Sequence, residues 1–344
     1  MKLQPSIASY SGETAAAIRA YLSGAVLDVV ASVAAGPRPS ADIDAVVIAE
    51  LEEMHVLRHE AGTVRLQTAA FLEPDIERII PAVSDFAAEV AQGAMDHGAD
   101  FRGARPEAAC FLGGVIGLQQ GVGNAFQAQK LAGEWKEYQG KYARSKVDFD
   151  EVCAAREALG PDLQNKSVLR GGRFTAVFIG PGGTSFRSLA FYGDPPDESR
   201  RYLASVNRHL VDAYALLLQG DAGNENLLAA AQIAGLYSCD GAPRTSVITW
   251  ETMEKYRPAI ERLTAFASSY YAAKLPVLCE LLSTTASGRQ GVSAANQMMH
   301  LFRYVRRATA RELYAAGFLT DTVPEDGSLT VFYENDIPYL NELI

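Results

Sequence analysis

One order of elements can be read twice in this chain: an apolar-periodic helix, a second helical run, two strand-like runs around a turn, and an acidic exit. From Glu13 to Ala35, Ile18, Leu22, Val26, Val29, Val30 and Val33 recur at helical spacing, and Gly36-Pro37 stops the pattern. Ser40 is placed to cap a second helix through Met54. Its apolar face is Ile43, Val46, Val47 and Leu51, with Asp42 and Asp44 in the first turn. His55–His59 and Thr63–Gln67 then alternate around Glu60-Ala61-Gly62, which predicts a hairpin. Near the other end, Leu275, Leu278, Leu281 and Leu282 mark a helix from Tyr271 to Thr285. Ser293 can cap a helix through His300, and Leu301 to Ala316 continues at helical spacing up to Gly317. Phe318–Thr322 and Ser328–Tyr333 flank Pro324-Glu325-Asp326-Gly327, a second hairpin with strong turn residues. The exits are Glu73-Pro74-Asp75-Ile76 and Glu334-Asn335-Asp336-Ile337.

This order resembles the winged helix-turn-helix family. The C-terminal copy carries the resemblance best, because Ala315-Ala316-Gly317-Phe318-Leu319 joins its reading helix to the hairpin. The resemblance implies an α+β chain with winged-helix-like modules at 1–75 and 265–344, flanking a mixed helical and β central domain at 76–264. It further implies a DNA-binding transcriptional regulator that works as a homodimer, since two-fold symmetry doubles the contacted site. The two copies depart from the family pattern in different ways. Gly36 lies too close to the first hairpin for two helices and a turn, and no Gly or Pro separates the helices between Ser293 and Gly317, so the turn is expected near His300 to Arg303.

Charge separates the copies. The whole chain of 344 residues carries a formal net charge of -10, which disfavours a uniformly basic surface but leaves room for one local basic face. From Gly36 to Ala70, Arg38, Arg58 and Arg65 face six acids, so this copy repels DNA. From Arg289 to Leu319, Arg289, Arg303, Arg306, Arg307 and Arg311 face Glu312 alone. On a helical projection Leu301, Phe302, Val305, Ala308, Thr309, Leu313 and Ala316 share one side, and the last four arginines the other, with Glu312 projecting into the apolar arc. Arg289, Arg303, Arg306, Arg307 and Arg311 are therefore the candidate contacts to double-stranded DNA, through phosphates and base edges. The bland reading is an ordinary solvated helix face. One alternative function is a protein-interaction scaffold, which the acidic N-terminal copy fits better, and another is a small-molecule-binding protein or enzyme that uses the Gly180–Ser185 loop.

The central domain is the expected ligand-sensing or dimerisation module. Arg173–Ile179 and Phe186–Tyr192 read as strands around Gly180-Pro181-Gly182-Gly183-Thr184-Ser185, Thr245–Trp250 as a third strand, and Asp197–Leu218 as an amphipathic helix. Gly180, Gly182, Gly183, Thr184 and Ser185 could cradle a small-molecule effector, because glycines let backbone amides approach an anion. The loop lacks the Gly-Lys-Ser/Thr ending of a P-loop, and a strand follows it where a P-loop needs a helix, so a plain hairpin loop competes. Glycines at 113, 114, 117, 121 and 123 either permit close helix packing or break the helix.

Catalytic signals are weak. Cys110, Cys153, Cys239 and Cys279 are too far apart for a zinc knuckle or a redox pair and read as reduced, mostly buried thiols. His55 and His59 sit on a strand, and His97, His209 and His300 are isolated. No GxSxG, HExxH or GxGxxG fingerprint occurs in usable form, so the expectation is no enzyme, no catalytic residue, no metal and no cofactor. No stretch has the length and apolarity of a membrane span and the N-terminus lacks an apolar leader, which predicts a cytoplasmic protein with no membrane partner.

Overall fold

A computed structural model describes residues 1–9, 12–101, 104, 105, 108–128, 142, 145–159, 166–179, 209–221, 225–233, 236, 237, 240–316, 329–337 and 340. The fold is mixed α+β. Its compact units interleave the chain: one collects Met1–Asp85, Asn124–Leu159 and Tyr271–Val305, the other Phe86–Gly123, Gly160–Tyr270 and Arg306–Ile344. The sequence pattern divides the chain differently, into consecutive segments at 1–75, 76–264 and 265–344.

The described strands of the first unit are β1 (Leu3–Ser9), β2 (Arg38–Pro39), β3 (Leu57–Glu60), β4 (Thr63–Leu66), β5 (Ala70–Phe71) and β6 (Ser145–Glu151). In one sheet β6 lies between β1, antiparallel to it, and β5, parallel to it, with Ile7 opposite Val147 and Ala70 opposite Phe149. A second sheet has the order β2-β4-β3, antiparallel throughout. The expected β3–β4 hairpin closes on Ala61 and Gly62, at φ +49° and +79°. Positive φ at both central residues is the type I′ turn, whose twist matches that of the paired strands.

Helices Gly12–Tyr21, Gly24–Ala35 and Ala45–Glu53 pack on these sheets. Ile18, Leu22, Val30, Val33, Ile48 and Leu51 share a buried core with Leu57, Val64, Leu66 and Phe149. Ser40 does not cap the second of the expected helices. Ser40–Asp42 forms one tight helical turn, and Asp44 caps Ala45–Glu53 by accepting the Val46 N–H at 2.7 Å. Asp44 directly precedes the helix, whereas Ser40 lies a full turn upstream of it.

The C-terminal helices differ from expectation. Ala294–Ala315 is one continuous helix, with no turn near His300 to Arg303. No helix breaker interrupts it, and Met298, Leu301, Val305, Ala308 and Leu313 keep one buried stripe in register along its length. Ahead of it, Thr285 caps the short helix Ala286–Arg289 through the Gly288 N–H. This turn docks on the first unit's sheets through Ser287, whose hydroxyl meets both the N–H and the C=O of Ala70.

In the second unit β7 (Lys166–Arg170), β8 (Phe174–Ile179), β9 (Val247–Ile248) and β10 (Leu329–Glu334) form a sheet of order β7-β8-β10-β9. β8 and β9 fall on expected strands. β10 is the expected strand of the C-terminal hairpin, but its described partners are β8, antiparallel, and β9, parallel. Phe318–Thr322 and the turn at Pro324–Gly327 lie outside the described residues, as do Phe186–Tyr192 and the first half of the helix expected over Asp197–Leu218. Its second half is the helix His209–Leu218, where Asp212 accepts the backbone N–H groups of Gly172, Arg173 and Phe174. That carboxylate fits because Gly171 and Gly172 have no Cβ. One added at Gly171 would stand 2.5 Å from Asp212 Oδ1.

Of the central glycines, Gly117 and Gly121 permit close packing, while a Cβ at Gly114 or Gly123 would meet nothing within 4 Å. Ala109–Leu118 is a π-helix running into the helix Gln119–Ala128. A Cβ at Gly121 would lie 2.4 Å from Thr264 O, and one at Gly117 3.1 Å from Leu263 Cβ, on the long helix Trp250–Ser283. No single described helix is long and apolar enough to cross a membrane.

Candidate functional site

The N-terminal unit presents one helix outward in a form that suits recognition. Ile48 and Leu51 anchor Ala45–Glu53 in the core, which turns Ala45, Val46, Ala49 and Glu53 to solvent. Val46 is 69% exposed, although its sequence position suggested the apolar face. Asp42 and Asp44 are exposed at the helix start. Glu50 and Glu52 are committed to the fold: Glu50 accepts the Tyr142 hydroxyl at 2.7 Å, and Glu52 accepts the His59 N–H at 2.7 Å. The helix has no Lys or Arg. Nearby Arg58 is held inward, donating to Gln290 O at 2.7 Å. The outward face is therefore a small apolar patch rimmed by Asp42, Asp44 and Glu53.

The arginines singled out from sequence differ in exposure and in the unit they belong to. Arg303, Arg306, Arg307 and Arg311 are all half-buried, and Arg289 is exposed with its guanidinium on Thr284 O at 2.6 Å. Glu312, which interrupts the apolar arc, pairs with Arg311 at 2.8 Å. Arg289 and Arg303 belong to the first unit, the other three to the second. Gly180, Gly182, Gly183, Thr184 and Ser185 lie outside the described residues. Of the cysteines, Cys153 is a buried free thiol and Cys279 a half-buried one whose pKa burial pushes up.

A buried polar centre in the first unit was not foreseen. On β6, Val147 and Phe149 point into the apolar core while Lys146, Asp148 and Asp150 share the other side, as strand alternation requires. His300 and Tyr304, one helical turn apart, meet Asp150 Oδ1 at 2.5 Å each, and Arg156 Nε lies 3.3 Å from Oδ2. Lys146 Nζ lies 3.2 Å from Asp148 Oδ1, and the Thr68 hydroxyl 2.8 Å from the same oxygen. Phe71 packs on the rings of both His300 and Tyr304. Burial pushes the Asp150 carboxyl up, but the charge and hydrogen bond of His300, with Tyr304 and Arg156, outweigh it and hold the pKa below the ordinary value. Burial and then the Asp150 charge raise the Tyr304 phenol well above its usual range.

An Asp-His-Tyr set has the residue types of acid-base chemistry, yet His300 is 1% exposed and Asp150 4%. Asp148 and Asp150 are paired and hydrogen-bonded to Lys146, Arg156, His300, Thr68 and Tyr304, which is how buried ions become tolerable. The centre fastens helix Ala294–Ala315 to β6. Each half carried a local signal, alternating acids on a strand and an i, i+4 His/Tyr pair, but nothing in the sequence joined positions 150 residues apart. Comparison with protein-family models, curated proteins and solved structures gives no match for the chain.

Proposed function

We propose that the chain is a winged-helix interaction protein whose N-terminal module recognises a protein partner. The observation that carries this reading is the outward face of Ala45–Glu53, where 69%-exposed Val46 stands on a helix without Lys or Arg, with Asp42 and Asp44 exposed at its start. The winged-helix resemblance is supported in this module by its element order, helix, short strand, helix and type I′ hairpin, with the sheet order β2-β4-β3. Charge complementarity selects the partner's chemistry: a protein surface with an apolar contact ringed by Lys and Arg, since a phosphate backbone would be repelled.

The experiment uses a variant with Asp42→Lys, Val46→Asp and Glu53→Lys, all at exposed positions. Quantitative affinity capture from the source cells compares it with wild type, and the captured partner is then titrated in purified form. A basic partner bound by wild type and lost by the variant supports the proposal. Identical capture by both overturns it.

A second reading, DNA-binding regulation through Arg289, Arg303, Arg306, Arg307 and Arg311, is favoured by the concentration of five arginines against Glu312 alone. Fluorescence anisotropy on duplex DNA decides it. Binding with a steep salt slope, lost when Arg303, Arg306, Arg307 and Arg311 become Ala, would replace the protein-partner reading.

A further inference from the structure

The second unit contains a half-open cavity of about 300 Å³, at the small end of the range for ligand pockets. Ala108, Val247 and Ile248 give it an apolar floor, and Ser246 and Thr252 contribute hydroxyls. Two cations line it from different parts of the chain: Arg105, which follows the helix Glu73–His97, and Lys255, one turn into Trp250–Ser283. Arg105 is fixed by donating to Pro243 O at 2.8 Å, and Lys255 Nζ stands 5.0 Å from the centre of the Tyr256 ring. Tyr256 is in turn stacked on Phe101 at 4.9 Å, so this wall is rigid. Of the acids on this helix, Glu254 pairs with Arg257, and Glu251 stands one turn before Lys255. The cavity adjoins the first turns of the 34-residue helix Trp250–Ser283, whose first N–H is capped by Glu334 Oε2 at 2.9 Å.

We propose that this cavity binds a small organic oxyanion, a phosphate ester or carboxylate with an apolar body. The oxyanion sits between Arg105 and Lys255 with the Ser246 and Thr252 hydroxyls in reach, and the apolar body lies on Val247, Ile248 and Ala108. Two cations over an apolar floor favour an amphipathic anion above a neutral compound of the same shape. This inference goes beyond the protein-partner reading and does not depend on it.

Calorimetric titration of the full chain with phenyl phosphate, benzoate, inorganic phosphate and benzyl alcohol tests it. Phenyl phosphate or benzoate is expected to bind, more weakly as salt rises, with benzyl alcohol at least tenfold weaker, by roughly the factor one charged contact supplies. The arm that binds tells a phosphate site from a carboxylate site. Inorganic phosphate, lacking the apolar body, is expected to bind more weakly than phenyl phosphate. Arg105→Gln and Lys255→Gln should each weaken the anion about tenfold. Among the described residues Lys255→Gln removes no hydrogen bond, only the contact with the Tyr256 ring, and circular dichroism verifies that the variant folds. No binding of either organic anion, equal binding of benzyl alcohol, or unchanged affinity in both variants overturns the proposal.

Discussion

Gln290 holds the backbone of Leu66 in register: its Oε1 accepts the Leu66 N–H at 3.0 Å, from a position 224 residues further along the chain. Its Nε2 donates to Val33 O at 2.8 Å, and its own carbonyl accepts from Arg58. One side chain, 5% exposed, thus ties the hairpin, the helix Gly24–Ala35 and the turn after Ala286–Arg289 together. Gln290→Ala leaves a buried N–H and a buried C=O without these partners. The expected loss is about 2–4 kcal/mol in urea unfolding, and a change within the error of the measurement would show that water replaces the amide.

Asp150 gives the first unit an acid limit. Its folded pKa lies below the unfolded value, so the unfolded chain takes up the proton first on acidification. The stabilisation is complete above about pH 4 and is lost as pH falls through the lower folded value. Asp150→Asn should cost about 3 kcal/mol at neutral pH, and its urea midpoint should change less than the wild-type midpoint between about pH 6 and pH 3. Parallel curves would assign the acid limit to other carboxylates.

Tyr304 should be silent in alkaline titration. Burial and the Asp150 charge raise its phenol so far that it keeps its proton while the chain is folded. Absorbance near the tyrosinate band, recorded for wild type and Tyr304→Phe, should give superimposable curves until the protein unfolds. A missing step in the Phe variant would place Tyr304 in contact with water.

The hairpin turn offers a stabilising substitution. Ala61 occupies φ +49°, where an alanine is strained and an asparagine is at ease. Ala61→Asn, which creates the Asn-Gly pair preferred in type I′ turns, should raise stability by about 0.5–1 kcal/mol. Thermal unfolding monitored by circular dichroism reads the effect, and a lower midpoint would indicate that the turn is not the limiting strain.

Gly121 is expected to tolerate nothing larger. Gly121→Ala places a methyl 2.4 Å from Thr264 O, and the two helices must separate. The expected cost is about 1–3 kcal/mol in the second unit's unfolding, whereas Gly123→Ala, whose Cβ meets nothing within 4 Å, should be neutral or stabilising. Equal effects at the two positions would contradict the close packing.

What could be read from sequence was what is local. The hairpin over β3 and β4 showed itself by alternation around Ala61-Gly62, and the first core helix by the spacing of Ile18, Leu22, Val30 and Val33. Val46 was misplaced because a short helix allows two apolar arcs, and only packing chose Ile48 and Leu51 for the inside. The strand at Leu329–Glu334 was legible, but alternation does not say which edge it joins, and its described neighbours come from far upstream. The Asp150 centre escaped for the same reason. A helical projection put Arg303, Arg306, Arg307 and Arg311 on one side of the helix, but it could not show that all four are half-buried.

The interleaved assembly of the first unit also bears on synthesis. The partners of Leu66, Ala70 and Asp150 at Gln290, Ser287 and His300 leave the ribosome only after most of the chain has been made. The nascent N-terminal sheets must wait with unfilled hydrogen-bond sites while the intervening segments emerge, a window in which exposed strand edges invite mispairing. Elongation rate and chaperone supply should therefore govern the yield of native protein more strongly here than in a chain whose units close in the order they are translated.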